Sequence, residues 1–326
     1  MEQRTKMDEE SIGFLAFLKS ESERQRINGH IGLANNYNSA INSFTRFLQT
    51  RNMKDVSFSF LTSVLIEDYE SYLQAGGLCK NTTSFYIRAL HAVYYKAVRW
   101  GVTTDKQPFR SVYRGVAKTV KRAIEPQDIC QLKALNIPVE LRKKGLRGKR
   151  YQLMVNNLEF ARDIFLFCFC ARGLTFVDLA YMQKSNLNGG MLVYVRRKTK
   201  QRIEVQLEPM MKEVLDKYPS ETSYLLPILT KIDTKEAVFQ QYKYALANYN
   251  AHLKMLGEML DGLKLTSYVS RHSWASAAHQ QNIPLSVISQ SMGHESEKTT
   301  EIYLKSLKSN IIHQSNHDLL ANVFRS

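Results

Sequence analysis

The chain has 326 residues, an apolar content of 44% and a net charge of +15, which is enough material for sizeable cores in two domains. Residues 1–10 are polar rather than apolar, and no apolar stretch reaches the ~18 residues that a membrane span needs. These features argue against a secreted or membrane-spanning protein and predict a cytoplasmic one.

The four cysteines argue against a structural metal site. None forms a CxxC pair, and Cys168 and Cys170 lie in an apolar run where both thiols are expected to be buried as small hydrophobic groups. We therefore predict reduced thiols, and neither a metal nor a cofactor.

Two segments near the N-terminus repeat apolar residues at steps of three and four, which predicts helices with one core-facing stripe each. The first stripe comprises Tyr37, Ile41, Phe44 and Leu48, and the second comprises Ile87, Leu90, Tyr94 and Ala97. The first lobe is therefore predicted to be helical.

Positive charge is concentrated where the two predicted lobes meet. Residues 80–150 contain 17 Lys and Arg against four acidic residues, an excess of 13, which favours a polyanion as partner. The alternative is a flexible basic linker kept for solubility. Aromatic residues interleaved with the cations favour an ordered surface that can stack and pack.

The second of these helices also carries polar and basic residues suited to a DNA backbone. Asn81, Thr82 and Thr83 are predicted to cap its start, and Arg88, Lys96 and Arg99 can lie off its apolar stripe. A helix N-terminus next to a row of cations is suited to phosphate groups. Thr82 and the three cations are therefore our candidate DNA contacts.

The apolar period is lost after residue 100, and we predict a linker over 106–126 between lobes at 1–105 and 127–326. The second lobe is predicted to contain a short helix over 127–135, a basic loop over 141–150, a long apolar helix over 158–171, and helices over 239–260 and from 273 onward. Between these helices, alternation over 192–196 and 203–207 predicts two strands joined by the basic turn 197–201.

Three elements near the C-terminus stand in a fixed order: Arg271-His272, Gly293-His294 and Tyr303. A tyrosine hydroxyl is a poor nucleophile near neutral pH, so a chain that uses one must bring cations and a proton donor to the phosphate under attack. Taken singly, His294 could cap a helix end and Tyr303 could be a core aromatic residue. Their joint order resembles that of a site in which a tyrosine cuts DNA.

These residues resemble the tyrosine recombinase (phage integrase) family over nearly the whole chain. Arg271 to Ala275 is similar to the family's RH box, Met292 to Ser296 with Thr299 and Thr300 is similar to its GH box, and Tyr303 falls where the family keeps its nucleophile. Lys198-Thr199 in the hairpin turn resembles the family's β-hairpin lysine.

The resemblance implies a mainly α fold with a small β-hairpin. It pairs an N-terminal helical, SAM-like core-binding domain with a C-terminal α+β catalytic domain. It also implies site-specific DNA recombination through a 3′-phosphotyrosine intermediate, for integration, excision or inversion of a mobile element. Four protomers would hold two double-stranded recombination sites. Arg271, His294, Lys198 and Tyr303 would be catalytic.

Two positions depart from the family pattern. Tyr268 stands where the family usually has a histidine, and it can donate a hydrogen bond to a phosphate oxygen but is a weak base. Thr175 stands where the family has its first arginine. Arg172 is our candidate replacement, although it could instead pair with Asp178 or contact DNA. Arg162 and Arg150 are the next candidates.

Two further interpretations stay open. Apolar residues in the tail 308–326 recur at near-helical spacing, which suits docking on a neighbouring subunit or packing on its own domain.

A type IB topoisomerase, or a catalytically weak relative that only binds DNA, would share much of the site. A separate core-binding lobe and the retained motif residues favour an active recombinase.

Overall fold

The computed structural model describes residues 13–117, 122–230 and 234–304, apart from the side chains at 299 and 302–304. The tail 308–326, for which docking on a neighbouring subunit and packing on its own domain both stay open, lies outside the described residues. Contacts divide the chain into two compact units, Met1–Thr119 and Val120–Ser326. No helix in the described residues is both long and apolar enough to cross a membrane.

Unit 1 is helical, as predicted. Its helices are α1 (Phe14–Ile27), α2 (Ile31–Gln49), α3 (Ser63–Ala75) and α4 (Lys80–Arg99). The two predicted apolar stripes lie on α2 and α4, and all eight of their residues are buried. Aromatic rings fill this core edge to face, with Phe44 and Tyr69 centroids 5.0 Å apart, the geometry that ring quadrupoles favour.

The start of α4 differs from our prediction. The helix begins at Lys80 with Cys79 as its N-cap residue, and the predicted cap residue Asn81 binds the chain downstream instead. Its amide nitrogen donates to the carbonyl of Ala117, and its amide oxygen accepts from the Ala117 N–H. The Ser84 hydroxyl similarly donates to the carbonyl of Gly115. Part of the predicted linker is thereby held against unit 1.

Unit 2 combines helices with one small sheet. Its helices in the described residues are α5 (Pro126–Ala134), α6 (Ile137–Lys143), α7 (Gly148–Cys170), α8 (Phe176–Ala180), α9 (Pro209–Lys217), α10 (Lys235–Glu258), α11 (Val269–Gln280), α12 (Leu285–Ser291) and α13 (Glu297–Leu304). The helix predicted over 158–171 begins ten residues earlier, because its first three turns are too polar to show an apolar period. The predicted basic loop over 141–150 narrows to the turn between α6 and α7.

The sheet contains the predicted hairpin and one additional short strand. Its strands are β1 (Leu187–Asn188), β2 (Met191–Val195) and β3 (Arg202–Gln206), in the antiparallel order β1-β2-β3. Val195 pairs with Arg202, so the basic turn forms the closed end of the hairpin, where it joins β2 to β3. Alternate residues of β2 and β3 are buried, which places one face of the sheet on the core of unit 2.

Candidate active site

Arg271 lies inside unit 2, near the start of α11, and is 3% exposed. One terminal nitrogen, Nη1, donates to the carbonyl of Gly173 over 2.7 Å, and Nη2 donates to the carbonyl of Met292 over 2.6 Å. Gly173 has a φ of +71°, and a Cβ there would lie 3.0 Å from the Arg271 Cα. The turn after α7 therefore needs glycine, both for its backbone conformation and for its close approach to α11.

His294 is buried directly against Arg271. Its Nε2 lies 3.1 Å from Arg271 Nη2, and its Nδ1 lies 2.7 Å from the hydroxyl oxygen of Thr300 on α13. A guanidinium can only donate, so Nε2 must accept and the ring proton must sit on Nδ1, which donates to Thr300. The structure thus assigns one neutral tautomer to His294.

The electrostatic surroundings of His294 agree with that neutral state. Burial, followed by the positive charges of Arg271, Arg196 and Lys198, lowers the pKa of His294 from its ordinary value of 6.5 to about 3. Each of these effects disfavours the imidazolium form. In the free protein, His294 is therefore a neutral imidazole surrounded by cations.

The hairpin turn is attached to the same loop. The hydroxyl of Thr199 donates to the carbonyl of Gly293 over 3.0 Å, and the side-chain amide of Gln201 donates to the carbonyl of His294 over 3.0 Å. Lys198, beside Thr199, is exposed, yet its charge reaches His294. The turn therefore holds a solvent-accessible ammonium near the buried pair.

A residue that our sequence reasoning missed completes the cluster. Arg196 follows β2, is 4% exposed, and its Nη1 donates to the carbonyl of Gly293 over 2.6 Å. The signal was present in the alternation: Leu192, Tyr194 and Arg196 share the face of the strand that is buried. An arginine at an inward position of a strand is unusual enough to mark a site.

Thr175 and Asp178 support the base of this cluster. The Thr175 hydroxyl donates to a carboxylate oxygen of Asp178 over 2.6 Å, and Thr175 is the N-cap residue of α8. The other oxygen of Asp178 accepts from the backbone N–H of Arg197 over 2.9 Å. Asp178 thus ties the start of α8 to the end of β2.

Arg172, our candidate for the missing arginine, has no hydrogen bond to Arg271, Arg196 or His294 in the described residues. Its φ is +57°, and it lines a cleft together with residues of β3 and α12, namely Arg202, Ile203, Glu204, Val287, Gln290 and Ser291. The reserve candidates have other surroundings. Arg162 donates to Asp163 and to the carbonyl of Leu135, and Arg150 is exposed in the first turn of α7.

Tyr303, the candidate nucleophile, lies on α13, and Tyr268 lies at the start of α11. Tyr303 falls within α13, three residues after Thr300, and its side chain is outside the described atoms. Tyr268 is the residue before α11, is 47% exposed, and lies with its ring centroid 5.9 Å from that of His272. An exposed phenol at this position is free to meet a ligand.

The DNA-contact candidates of unit 1 differ in their accessibility. Arg88 and Arg99 are exposed, and Thr82 is half-buried with its hydroxyl 3.2 Å from the Cys79 sulfur. The ammonium of Lys96 instead donates to Glu21, a carboxylate that is 1% exposed. Lys96 is therefore half-buried and engaged in an ion pair, unlike the exposed Arg88 and Arg99.

The pair of Glu21 and Lys96 belongs to a larger polar network. Arg24 donates twice to the Glu21 carboxylate, over 2.8 and 3.1 Å, and Gln25 donates to it over 2.6 Å. Burial alone would raise the pKa of Glu21, but the hydrogen bonds from Arg24, Lys96 and Gln25 outweigh it and lower that pKa. Glu21 is thus held ionised, and it needs its cations in place.

Comparisons with known proteins agree with this architecture. A family model for the phage integrase SAM-like domain matches residues 13–114, and a model for the phage integrase family matches residues 146–310. No curated protein sequence matches the chain.

Several solved structures share the fold at low identity. A lambda integrase tetramer bound to a Holliday junction is 16% identical, with a TM-score of 0.58 over 92% of this chain and 79% of that one. The Tn1549 transposon integrase bound to circular intermediate DNA is 12% identical, with a TM-score of 0.61 over 94% of this chain and 100% of that one. The XerH recombinase bound to its difH substrate is 16% identical, with a TM-score of 0.54 over 87% and 78%.

The catalytic family model alone spans about half of the chain and includes Arg271, His294 and Tyr303. The SAM-like model covers most of unit 1. The chain belongs to the phage integrase family.

Proposed function

We propose that this protein is a site-specific DNA recombinase that cuts and rejoins DNA through a 3′-phosphotyrosine intermediate. The observation that carries the proposal is the buried contact between Arg271 and His294, which Thr300 joins to the helix that contains Tyr303. A guanidinium, a neutral imidazole and a tyrosine-bearing helix thereby meet beside a basic hairpin turn. This set of groups is suited to attack on a phosphodiester by a tyrosine.

In the proposed reaction, the Tyr303 oxygen attacks the phosphorus and the bond from phosphorus to the 5′ oxygen breaks. The product is a phosphotyrosine at the 3′ end and a free 5′ hydroxyl. The proton for that hydroxyl comes from the Lys198 ammonium, which the hairpin turn presents to solvent. A 5′ hydroxyl from a partner strand then attacks the phosphotyrosine and restores both the DNA bond and the tyrosine. The number of phosphodiester bonds is conserved.

Arg271 supplies positive charge to the phosphate as negative charge accumulates on its oxygens. Because the guanidinium is almost fully buried, water screens it weakly and its interaction with an anion is stronger than at the surface. Its orientation is set in advance by the carbonyls of Gly173 and Met292. Such preorganised donors are the usual main source of transition-state stabilisation.

His294 is suited to handle the tyrosine proton. Its Nε2 carries a lone pair, since the proton is on Nδ1. When the N–H of Arg271 that donates to His294 donates to a phosphate instead, that lone pair becomes available to the Tyr303 hydroxyl. Bound phosphate also offsets the cations that lower the pKa of His294, which makes it a stronger base at the moment of attack.

DNA is the partner, and we propose that four copies assemble on two recombination sites. The lambda integrase tetramer on a Holliday junction supports this assembly as an analogy of fold. In unit 1, the exposed Arg88 and Arg99 and the start of α4 are suited to the DNA backbone. We place the boundary between the core-binding and catalytic domains near the division at Thr119.

Covalent trapping tests the proposal. The full chain is incubated with nicked duplex DNA that loses a short 5′-hydroxyl fragment on cleavage, so that religation cannot occur. Wild type is expected to form an adduct that survives denaturation, and Tyr303→Phe is expected to bind the DNA without forming one. Binding by wild type without an adduct on its own genomic flanking sequences would contradict the proposal and favour a protein that only binds DNA.

A further inference from the structure

Arg196 is a buried cation whose hydrogen bonds are mostly unmade. A guanidinium has five N–H donors, and in the described part of the chain Arg196 uses one of them, from Nη1 to the Gly293 carbonyl. Its Nε is buried and has no hydrogen-bond partner. Leaving a buried donor of a charged group unpaired is unfavourable, so this environment suits an anion that is added later.

We propose that Arg196 is the second arginine of the catalytic site, and that it binds the scissile phosphate together with Arg271 in place of the arginine missing at Thr175. This inference rests on the recombinase function proposed above. It assigns a catalytic role to a residue that stands on a different element from the one where the family pattern would place it.

The position of Arg196 supports this assignment. Arg271 donates to the carbonyl of Met292 and Arg196 donates to the carbonyl of Gly293, so two guanidinium groups hold consecutive carbonyls of the turn that carries His294. They are buried to nearly the same extent, 4% and 3% exposed. The charge of each acts on His294. An anion that reaches Arg271 at this turn therefore also meets Arg196.

Thr175, which stands at the position of the family's first arginine, has no positive charge for a phosphate, but it helps to position Arg196. The Thr175 hydroxyl donates to Asp178 over 2.6 Å. Asp178 in turn lies 4.0 Å from Arg196 Nε, too far for a hydrogen bond but close enough to offset part of its charge. Arg196, which follows β2, thus takes the place of the missing arginine beside the turn that carries His294.

Arg172 lacks these properties. It lines the cleft with Arg202 and Glu204, and the contact with Arg271 comes from the backbone of its neighbour Gly173. In the described residues, no hydrogen bond joins Arg172 to Arg271, Arg196 or His294, so the observed contacts favour Arg196.

Single-turnover cleavage of the nicked substrate at saturating protein tests the assignment. Arg196→Ala is expected to lower the cleavage rate by roughly 10²- to 10³-fold, the usual effect of losing one transition-state donor. Arg172→Ala and Arg197→Ala are expected to stay close to wild type. Arg197 is the matched control because it is the next residue, is exposed, and lies with its guanidinium 4.0 Å from the Tyr181 ring centroid.

A second substrate separates a charge contact from simple damage to the fold. Replacing one non-bridging oxygen of the scissile phosphate by a methyl group makes that phosphate neutral. Without the negative charge, a second cation contributes much less, so the ratio of wild-type to Arg196→Ala rates should fall toward one on this methylphosphonate. Arg196→Lys, which retains the charge but loses the planar donors, is expected to be intermediate on the ordinary substrate.

The outcomes are distinct. Equal defects of Arg196→Ala on both substrates would indicate a structural role and overturn the assignment. A wild-type rate of Arg196→Ala on the phosphodiester would also overturn it. So would a slow Arg172→Ala variant whose defect disappears on the methylphosphonate. Should Arg196→Ala fail to fold, Arg196→Lys carries the same comparison of substrates. Failure of the recombinase function itself would appear differently, as absence of cleavage by wild type.

Discussion

Nη2 of Arg271 donates to Nε2 of His294 over 3.1 Å, and this one contact decides the protonation of the histidine. The arginine occupies the imidazole lone pair, and the proton is placed on Nδ1 toward Thr300. A group that the motif marks only as a histidine is therefore a neutral acceptor in the free protein. DNA must compete with it for the guanidinium.

DNA binding should raise the pKa of His294. In the free protein it is about 3, because of burial and the nearby cations, and a bound phosphate removes the effect of those cations. NMR titration of the histidine Cε1–H signals, with and without uncleaved site DNA bound to Tyr303→Phe, measures the change. An unchanged or lower value in the complex would contradict a phosphate bound at Arg271.

The same shift predicts how stability depends on pH. The folded state keeps His294 neutral, whereas the unfolded chain binds a proton below about 6.5, the ordinary pKa of histidine. The contribution of neutral His294 to the free energy of unfolding is therefore complete above pH 6.5, and it declines as the pH falls toward 3. Urea unfolding of wild type and His294→Gln at several pH values should show the wild type losing more stability on acidification. Parallel curves would argue against a buried neutral histidine.

Removing the hydroxyl of Thr300 should impair His294 without changing the site's charge. Thr300 is fully buried, and Thr300→Val leaves the Nδ1–H without its acceptor, a cost of roughly 1–3 kcal/mol. We expect cleavage to slow by roughly 10-fold, since ~1.4 kcal/mol of lost positioning corresponds to that factor. Thr300→Ser keeps the hydroxyl and should cleave much faster than the valine variant. Equal rates for both would exclude this role.

Lys198→Ala should slow cleavage by roughly 10²- to 10⁴-fold, the usual contribution of a positioned acid. A substrate with sulfur in place of the 5′ bridging oxygen tests the role directly, because a thiolate leaves without needing a proton. Lys198→Ala should recover most of the lost rate on this substrate. A defect that persists with sulfur would mean that Lys198 holds DNA rather than protonating the leaving group.

Gly173→Ala should be more harmful than a glycine substitution that has only an unusual backbone angle. Both Gly173 and Gly189 have positive φ, but a Cβ at 173 meets the Arg271 backbone at 3.0 Å, while one at 189 meets nothing within 4 Å. The angle costs about 1–2 kcal/mol in each case. Gly173→Ala should show a larger loss of unfolding free energy and slower cleavage. Equal losses would mean that the contact relaxes freely.

Lys96 and Arg99 should separate stability from DNA binding. Lys96→Ala deprives buried Glu21 of one cation and should lower the unfolding free energy by about 1–3 kcal/mol, with little change in the salt dependence of DNA affinity. Arg99→Ala should leave stability unchanged and reduce the slope of log affinity against log salt by about one. The reverse pattern would support Lys96 as a DNA contact.

Local sequence patterns predicted many of the helices and strands. The apolar stripe from Tyr37 to Leu48 and the alternation from Leu192 to Arg196 were predictable because helix and strand periods depend on neighbours along the chain. The partner of Lys96 was not predictable, since Glu21 lies 75 residues away. The cap at Asn81 was wrong for a similar reason, because a segment 36 residues downstream competes for that side chain.

The sequence by itself determined the family and identified the nucleophile candidate, because the order of Arg271, His294 and Tyr303 is legible without coordinates. Only the tertiary structure brought Arg196 to the turn that carries His294. Its contact with Gly293 spans 97 residues, and that of Arg271 with Gly173 spans 98. Which guanidinium reaches a phosphate, and which nitrogen of His294 holds the proton, are decided by packing between distant elements.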